Sequence, residues 1–446
     1  MLRIEDTDQK RFVEGSTEKI FEALDWYGLT PDEGPQQGGQ FAPYVQSERL
    51  DRYRQYAEQL VTNGKAYYCF CTPERLDQLR AAQTAAKQQP KYDKHCATLT
   101  SDEVATHKQA GETYTIRMKL PESGILVHHD IIRGTVKFQY NVLDDSVILK
   151  TDGYPTYHLA NVVDDHDMGI SHVIRAEEWL PSVPKHLFLY EAFGWTPPVF
   201  AHLPLLLGTD RAKLSKRHGA TSALSFRDEG YLPEALTNFL ALMGWHPKDE
   251  QEIFTREKLV EQFSLEGINP SGAVFDRTKL DWMNGMYIRA LSVEQLLERL
   301  RPFWKLPDEK HEDSELLNIV RLIHDRLVRL TDINDFANFM FPSVWDTELP
   351  TIDRAIFVPK KGTIEATNHH LEQTAKWLSA YNGEWKSATL KEQMIAAIAS
   401  MGKKNGEILW PLRAALSLRA ASPDVFDLLE VLGKEESIRR IEHVCR

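Results

Sequence analysis

The residues best placed to do chemistry form one short basic stretch, 213–219, in which Lys213 and Lys216 flank Ser215. A turn precedes this stretch, after an apolar run at 203–207 that predicts one buried strand. A lysine ammonium group is a compact point charge on a long stem, so it can follow phosphate charge as that charge moves. The stretch therefore predicts a loop that closes over a polyphosphate. The alternative is a solvated basic loop.

A second group of residues has the chemistry of a metal site. Cys69 and Cys71 are followed by Cys96 after twenty-four intervening residues. Three soft thiolates at such spacing suit a structural zinc ion, which also needs a fourth ligand. His95 is adjacent to the third cysteine, and Cys445 lies far along the chain. Three buried free thiols are the alternative to a metal site.

The pattern of the surrounding chain predicts an α/β scaffold for these residues. Short alternating segments at 67–71, 113–119 and 135–140 predict strands. They belong to a mixed insertion, spanning about 67–150, within an α/β domain. Parallel-sheet character returns after it, with an apolar strand at 171–175.

Amphipathic helices are predicted before and after this α/β segment in sequence. Ser16 is expected to cap a helix that turns Ile20 and Leu24 inward. Two further stripes have the spacing of a buried helix face, namely Leu50, Tyr53, Ala57 and Leu60, and then Leu316, Val320, Ile323, Leu327 and Leu330. Strand signals fade beyond about Ala290, so the last third is predicted to be all-helical.

Composition restricts the class of protein. The 446 residues are 42% hydrophobic and 26% charged, which is ordinary for a soluble globular chain of about three domains. No apolar run has membrane-spanning length, and four cysteines suit a reducing compartment. The net charge of −12 argues against a nucleic-acid partner in general, so any tRNA surface must be a local basic patch, and no DNA or membrane partner is expected. We expect a cytoplasmic monomer.

Five stretches, in order, resemble signature segments of bacterial glutamyl-tRNA synthetases, which are class I aminoacyl-tRNA synthetases. These stretches are 3–8, 153–166, 173–179, 213–217 and 275–288. The resemblance spans essentially the whole chain. It implies an α/β fold: a Rossmann-type parallel-sheet catalytic domain with an inserted mixed α/β domain, then a connecting domain and an all-α anticodon-binding region.

The resemblance also implies where these domains lie. The catalytic domain would be formed by 1–66 and 151–209, the inserted acceptor-binding domain by 67–150, the connecting domain by 210–290 and the helical region by 291–446.

A glutamate site is implied by the same resemblance. Arg175 would bind the substrate side chain, because a guanidinium offers a fork of donors that fits a carboxylate. Tyr157 would donate through its hydroxyl, Glu5 would accept from the substrate ammonium, and Asn161 would line the pocket. The alternative for Arg175 is a structural ion pair with Glu177 or Glu178. Tyr157 could instead be a core aromatic residue with a satisfied hydroxyl, and Asn161 could cap a helix.

The implied ATP site contains Lys213, Ser215, Lys216, Glu178, Trp179, Leu205 and Leu206. Lys213 and Lys216 would be catalytic, because together with Mg²⁺ they neutralise charge that develops on the phosphates as glutamyl-adenylate forms. Glu178 and Trp179 would lie beside the nucleotide, and the two leucines would meet adenine through backbone groups.

The implied macromolecular partner is tRNA(Glu), with tRNA(Gln) left open. Arg11 would reach the acceptor end of the tRNA. Arg413 and Arg419, beside the basic pair 403–404, would contact the anticodon, because arginine can stack on and hydrogen-bond to single-stranded bases. Ordinary solvated helix charge is the alternative for each of these residues.

Two features depart from the family pattern. Some members carry a zinc knuckle whose last ligand is a histidine two residues after the third cysteine, and that position is Thr98 here. No H-x-G-H or H-x-G-N segment occurs, and the chain opens where the second strand of the family would lie. We therefore expect the upstream signature to be missing, and this chain alone to charge tRNA poorly and to bind a hydrophobic dye. The coding sequence upstream of Met1 tests that expectation.

The sequence thus predicts a glutamate–tRNA ligase. A catalytically inactive tRNA-binding remnant is the first alternative, favoured by the missing signature. A tRNA-modifying glutamyl-queuosine ligase would lack the helical region, and a glutaminyl ligase would carry β-barrel anticodon modules. The helical pattern beyond Ala290 disfavours both.

Overall fold

A computed structural model describes residues 1–8, 13–215, 222–247, 249–308 and 311–445. The chain forms two compact units, one from Met1–Gly219 with Leu240–Phe275 and the other from Ala220–Phe239 with Asp276–Arg446. Within the described ranges, no helix combines the length and the apolar character that crossing a membrane requires.

The elements are numbered in chain order. The strands are β1 Ala66–Cys69, β2 Thr115–Met118, β3 Ile125–Asp130, β4 Gly134–Gln139, β5 Val147–Leu149, β6 His172–Ala176, β7 Val199–Leu203, β8 Leu206–Leu207 and β9 Ala273–Val274. The helices are α1 Ser16–Trp26, α2 Leu50–Thr62, α3 Pro73–Ala85, α4 Ser101–Gln109, α5 Tyr157–Asp167, α6 Val183–Phe193, α7 Ala223–Asp228, α8 Pro233–Leu242, α9 Arg256–Gln262, α10 Arg277–Arg289, α11 Val293–Leu300, α12 Asp313–Ile323, α13 Ile333–Ala337, α14 Pro342–Glu348, α15 Ile364–Ala380, α16 Ser387–Ser400, α17 Asn405–Ser417 and α18 Val425–Cys445.

The sheets of the first unit are small. β1, β2 and β5 form an antiparallel sheet in the order β1-β2-β5, and β3 with β4 forms a hairpin. β6 pairs with β7 in parallel, and β8 pairs with β9 in parallel. The single strand predicted at 203–207 is wrong: β7 ends at Leu203 and β8 begins at Leu206. Pro204 lies between them, and proline has no N–H for a ladder.

Helix α2 supplies one face of the core of the first unit. It buries Tyr53, Ala57 and Leu60, as its periodicity predicts, against residues of α5 and α6. Two predictions for α1 are wrong. None of its residues is buried, so Ile20 and Leu24 do not form an inward face, and the N-cap is Gly15, not Ser16.

The described part of the second unit is helical. Its core contains the whole predicted stripe from Leu316 to Leu330. A charged side chain is fully buried in this unit: Arg440 of α18 donates to the carbonyl oxygens of Phe339, Met340 and Leu416 at 2.7–2.9 Å. These bonds fix the part of α18 that follows a helix break at Gly433.

Candidate active site

Arg175 lies one residue before the end of β6, opposite His202 of β7. Its Nε donates to Nε2 of His202 (3.1 Å), and its Nη1 donates to the hydroxyl of Tyr157 (3.0 Å). Its Nη2 is buried and has no hydrogen-bond partner among the described residues. Since an unsatisfied buried donor costs about 1–3 kcal/mol, this nitrogen points to an acceptor that a ligand supplies.

Both partners of Arg175 are uncharged groups. Among the residues that the structure describes, no carboxylate lies within 4 Å of its guanidinium. The two glutamates that follow in sequence have other partners: Glu177 pairs with Arg133 at 2.8 Å, and Glu178 pairs with Lys213. The alternative of a structural ion pair for Arg175 is therefore wrong, and its charge remains available to a ligand.

Helix α5 brings two further predicted residues to this place. Tyr157 is its first residue and Asn161 follows one turn later. Burial raises the pKa of Tyr157 above its ordinary value, so its hydroxyl keeps its proton. The amide oxygen of Asn161 accepts from Arg3 (3.0 Å) and its nitrogen donates to Asp165 (3.2 Å). The opposite amide orientation would bond Glu5 at 3.4 Å but would set its nitrogen against Arg3.

Glu5 joins the same network. Its carboxylate accepts from Arg3 (3.0 Å), and the charge of Glu5 acts on the hydroxyl of Tyr157. Arg3 also pairs with Asp165 of α5 at 2.8 Å. The structure thus brings all four predicted glutamate-binding residues together, with Arg3 holding two of them.

An exposed aromatic ring borders this group. Trp179 lies in a 3-10 turn, Glu177–Ser182, directly after β6. Its ring centroid is 4.8 Å from that of Tyr157, and the residue is 39% exposed. A flat apolar surface therefore lies next to the hydroxyl that Arg175 contacts.

The predicted adenine-binding leucines already use part of their backbone. The N–H of Leu205 donates to the carboxylate of Glu177 (3.1 Å). The carbonyl of Leu206 accepts from the N–H of Leu214 (2.8 Å), which draws the basic stretch against β8.

The basic stretch is described only up to Ser215. Lys213 forms a bridge with Leu207 of β8, and its ammonium contacts the carboxylate of Glu178. Both side chains are about half exposed, 58% for Lys213 and 43% for Glu178. Lys216 lies outside the described residues, as does Arg11, so their predicted roles stay predictions.

The three predicted metal-ligating cysteines are neighbours in space. The Sγ atoms of Cys69, Cys71 and Cys96 all lie within 4.8 Å of one another. The hydroxyl of Tyr92 lies 3.4 Å from Sγ of Cys69 and 3.3 Å from Sγ of Cys71. Contact between the two thiols lowers the pKa of Cys69 and raises the pKa of Cys96, so the pair favours one thiolate, on Cys69. His95 is exposed and takes no part in this cluster.

The two predicted anticodon-contacting arginines have internal partners. Arg419 makes a bidentate pair with Glu348 at 2.6 and 2.9 Å. Arg413 lies over the ring of Trp410, with its guanidinium carbon 4.9 Å from the ring centroid, and that indole is 39% exposed. The basic pair 403–404 is exposed. Arg413 with Trp410 therefore offers a stacking surface, whereas Arg419 serves a structural pair.

Sequence reasoning missed several residues of these sites. His202 is the one strongly polar residue within the apolar strand β7, and that isolation was its signal. Tyr92 lies four residues before Cys96, close enough in sequence to have been considered as a fourth metal ligand. Arg3 lies in the signature segment 3–8, but its partner Asp165 is 162 positions away, and Asp130 carried no signal because its partner His202 is 72 positions away.

The arrangement suits two adjacent ligands. Arg175 and Tyr157 offer donors to a carboxylate, and Glu5 offers an acceptor to an ammonium. Trp179 adds an exposed ring beside Tyr157, and Lys213 is a half-exposed cation paired with Glu178; a ring and a cation suit a nucleotide.

Comparisons with known proteins show the family of the chain. The family "tRNA synthetases class I (E and Q), catalytic domain" matches residues 1–282, and the family "Anticodon binding domain" matches residues 295–445. The glutamate–tRNA ligase of Dehalococcoides mccartyi is 46% identical over 99% of this chain and 90% of its own length. That of Chloroherpeton thalassium is 42% identical over 99% and 90%. A crystal structure of a glutamate tRNA ligase from Elizabethkingia meningosepticum in complex with its amino acid has a TM-score of 0.87 and 37% identity, covering 100% of this chain and 92% of that one.

Proposed function

Because this chain belongs to the glutamate–tRNA ligases of the class I aminoacyl-tRNA synthetases, we propose that Arg175 and Tyr157 bind the side-chain carboxylate of L-glutamate. The observation that carries the proposal is the buried Nη2 of Arg175, which has no partner among the described residues while both bonded partners of Arg175 are uncharged. Such a cation gains most from an anionic ligand. Glu5 is proposed to accept from the substrate ammonium.

The reaction places few covalent demands on the protein. An α-carboxylate oxygen of glutamate attacks the α-phosphorus of ATP, and the bond to pyrophosphate breaks. A terminal ribose hydroxyl of tRNA then attacks the acyl carbon, and AMP leaves. Positioning and charge neutralisation supply most of the acceleration in such displacements. Arg175 would hold one end of glutamate while its α-carboxylate remains free to react.

We propose that Lys213 moves from Glu178 to the phosphates of ATP. The pair is half exposed, and exposed ion pairs are worth at most about 1 kcal/mol, so exchanging the partner costs little. Lys216 and Ser215 would act in the same loop, and Trp179 would lie beside the nucleotide. Mg²⁺ binds mainly through substrate phosphates and needs one or two carboxylates, which Glu178 can supply. When bound, the ion neutralises charge on phosphate oxygens.

The test of glutamate binding is Arg175→Ala in a tRNA glutamylation assay. Losing a charge-assisted bond worth about 1.5–3 kcal/mol should raise the KM for glutamate more than about tenfold. Arg80→Ala is the matched control, because Arg80 pairs with Asp77 on the surface at 3.0 Å. Calorimetric titration with L-glutamate gives the same comparison without turnover. An unchanged glutamate affinity in Arg175→Ala would sink the assignment.

The thiol cluster supports a further proposal, a structural zinc site. Cys69, Cys71 and Cys96 would be three ligands, and the hydroxyl of Tyr92 is placed to be the fourth. The donor set fits the tetrahedral preference of zinc, whose role would be to fasten β1 to the turn at 95–98. Metal analysis of the purified protein should find about one zinc per chain, lost in Cys96→Ser and kept in Cys445→Ser. Absence of zinc from all three proteins would leave a cluster of free thiols.

For the second unit we propose binding of the tRNA(Glu) anticodon by Arg413, with the basic pair 403–404 nearby. Support comes from the exposed Arg413–Trp410 surface, since arginine and aromatic rings both stack on single-stranded bases. Arg419 could join only by leaving Glu348, and Arg11 is proposed to reach the acceptor end. Side-by-side charging of tRNA(Glu) and tRNA(Gln) decides whether the second is a substrate. We further propose a cytoplasmic monomer, for which sedimentation of the purified protein tests the oligomeric state.

A further inference from the structure

Two fully buried residues stand behind Arg175, and the proposed reaction does not use them. His202 is the register partner of Arg175, and Asp130 ends β3 at the hairpin turn. Oδ2 of Asp130 lies 2.5 Å from Nδ1 of His202. Nε2 of the same ring lies 3.1 Å from Nε of Arg175. The three residues therefore form one continuous hydrogen-bonded row.

The protonation state of Asp130 follows from its surroundings. Burial opposes ionisation, but the hydrogen bond from His202 and three backbone N–H groups outweigh it, so the pKa of Asp130 is lowered. Those N–H groups belong to Ile132, Arg133 and His202, at 2.9–3.2 Å from Oδ1. An ionised carboxylate can only accept, so the proton between the two side chains sits on Nδ1 of His202.

The other ring nitrogen is then an acceptor. Burial lowers the pKa of His202 even though Asp130 acts in the opposite direction, and the positive charge of Arg175 lowers it further. The neutral ring carries one proton, already assigned to Nδ1, so Nε2 presents a lone pair. That lone pair accepts the Nε–H of Arg175.

We propose that Asp130 and His202 are positioning residues for glutamate recognition: Asp130 holds His202 in one tautomer, and His202 orients the guanidinium of Arg175 without neutralising it. A neutral acceptor fixes the plane of the Arg175 guanidinium and leaves the positive charge of that group available to the substrate carboxylate. A carboxylate in the place of His202 would instead form an ion pair with Arg175 and compete with the substrate. The inference rests on the proposed role of Arg175.

The hairpin of β3 and β4 fixes His202 along its backbone too. The N–H of His202 donates to Asp130, and its carbonyl accepts from Nε of Arg133 (3.1 Å). The N–H of Ile131, which directly follows Asp130 in the turn, donates to the carbonyl of Phe200 in β7 (3.0 Å). The glutamate-binding arginine is thus oriented by a hairpin outside its own parallel strand pair. Substitutions that break the contacts of Asp130 or Arg133 with His202 should therefore change glutamate affinity.

Asp130→Asn tests the tautomer. Three backbone donors keep the amide oxygen at the Oδ1 position, so the amide nitrogen faces Nδ1 of His202. The ring must then accept at Nδ1 and carry its proton on Nε2, directly against the Nε–H of Arg175. A histidine in the wrong tautomer then presents an N–H where Arg175 needs a lone pair, although the ring itself has not moved. We expect the calorimetric Kd for L-glutamate to rise about tenfold, and that for ATP to change by less than about twofold.

Imidazole ¹H–¹⁵N correlation spectra report which ring nitrogen of His202 carries the proton. If Asp130 had only a structural role, its substitution would not change that tautomer. The spectra should show His202 protonated at Nδ1 in the native protein and at Nε2 in Asp130→Asn. His129→Gln is the matched control, because His129 adjoins Asp130 in β3 but bonds only to Thr135 among the described residues. Its glutamate affinity should be native.

A second pair of variants keeps the inference falsifiable if Asp130→Asn does not fold. His202→Phe removes the acceptor and should weaken glutamate binding about tenfold, whereas His202→Gln places an amide oxygen near Nε2 and should recover most of it. Native glutamate affinity in His202→Phe, or an Nε2-protonated ring in the native protein, would overturn the inference. If Arg175→Ala also binds glutamate normally, the proposed function itself fails. If only Arg175→Ala is impaired, the positioning role alone is refuted.

Discussion

Tyr157→Phe isolates one hydroxyl of the glutamate site. The hydroxyl accepts from Nη1 of Arg175 at 3.0 Å and is proposed to donate to the substrate carboxylate. A hydrogen bond to a charged group is worth about 1.5–3 kcal/mol. Water can replace part of it because the site is only half buried, so we take the lower limit. That limit corresponds to about a tenfold rise in the Kd for L-glutamate.

The assay compares two ligands in two proteins. L-Norvaline has the backbone groups and chain length of glutamate but ends in a methyl group. Titration calorimetry of both ligands gives the coupling between the hydroxyl of Tyr157 and the side-chain carboxylate. We expect glutamate to lose about tenfold in affinity and norvaline less than about twofold. Because the pKa of Tyr157 is raised by burial, this difference should be constant across neutral and mildly alkaline pH.

Tyr190→Phe provides the matched control. The Tyr190 hydroxyl is buried without a hydrogen-bond partner among the described residues, so its removal should leave both affinities unchanged. The ring of Tyr157 keeps its contacts with Trp179 and His186, at centroid distances of 4.8 and 5.6 Å, in the phenylalanine variant. Equal weakening of glutamate and norvaline binding by Tyr157→Phe would refute the reasoning, because the hydroxyl would then act on the backbone groups or on folding.

Further predictions concern the loop, the second unit and stability. Lys213→Met should lower the kcat of pyrophosphate exchange, measured with tRNA present, by more than about tenfold, because the lysine ammonium neutralises charge that develops on the phosphates during the reaction. The affinity for tRNA should stay native. A loss of tRNA affinity together with native exchange would contradict this prediction. Arg413→Ala should raise the Kd for tRNA(Glu) about tenfold in filter binding, and a native Kd would remove it from the anticodon surface. Burial lowers the pKa of His158 to about 4, so the unfolded chain binds a proton at this histidine more tightly than the folded chain does. The free energy of unfolding should therefore fall as the pH drops from about 6.5 to about 4. The same pH profile should be flatter in His158→Gln. Arg440→Met should lower the free energy of unfolding in urea by about 3–5 kcal/mol, because three buried carbonyls lose their donor, and a change below about 1 kcal/mol would show that the carbonyls find other partners.

The sequence by itself determined the family, the fold class and the elements with regular periodicity. The resemblance and the α/β class with a helical C-terminal region are confirmed by the family matches and the relatives. The stripe from Leu50 to Leu60 lies on α2, because burial of one helix face leaves a 3.6-residue period. The second stripe lies on α12 only as far as Ile323, and Leu327 and Leu330 are buried in the same core after that helix has ended. The roles of Arg175 and Tyr157, in contrast, stay predictions, although the two side chains do meet.

Which polar groups pair with one another depends on the folded arrangement and could not be read from the sequence. Arg175 and Arg419 look alike in sequence, yet one faces uncharged groups and the other holds Glu348. Likewise, nothing in the periodicity joins Asp130 to His202, seventy-two positions apart. Pairing of this kind depends on where strands and turns converge, and a one-dimensional pattern carries no distance between remote residues. The same reason explains α1, whose period is helical but whose face meets no core.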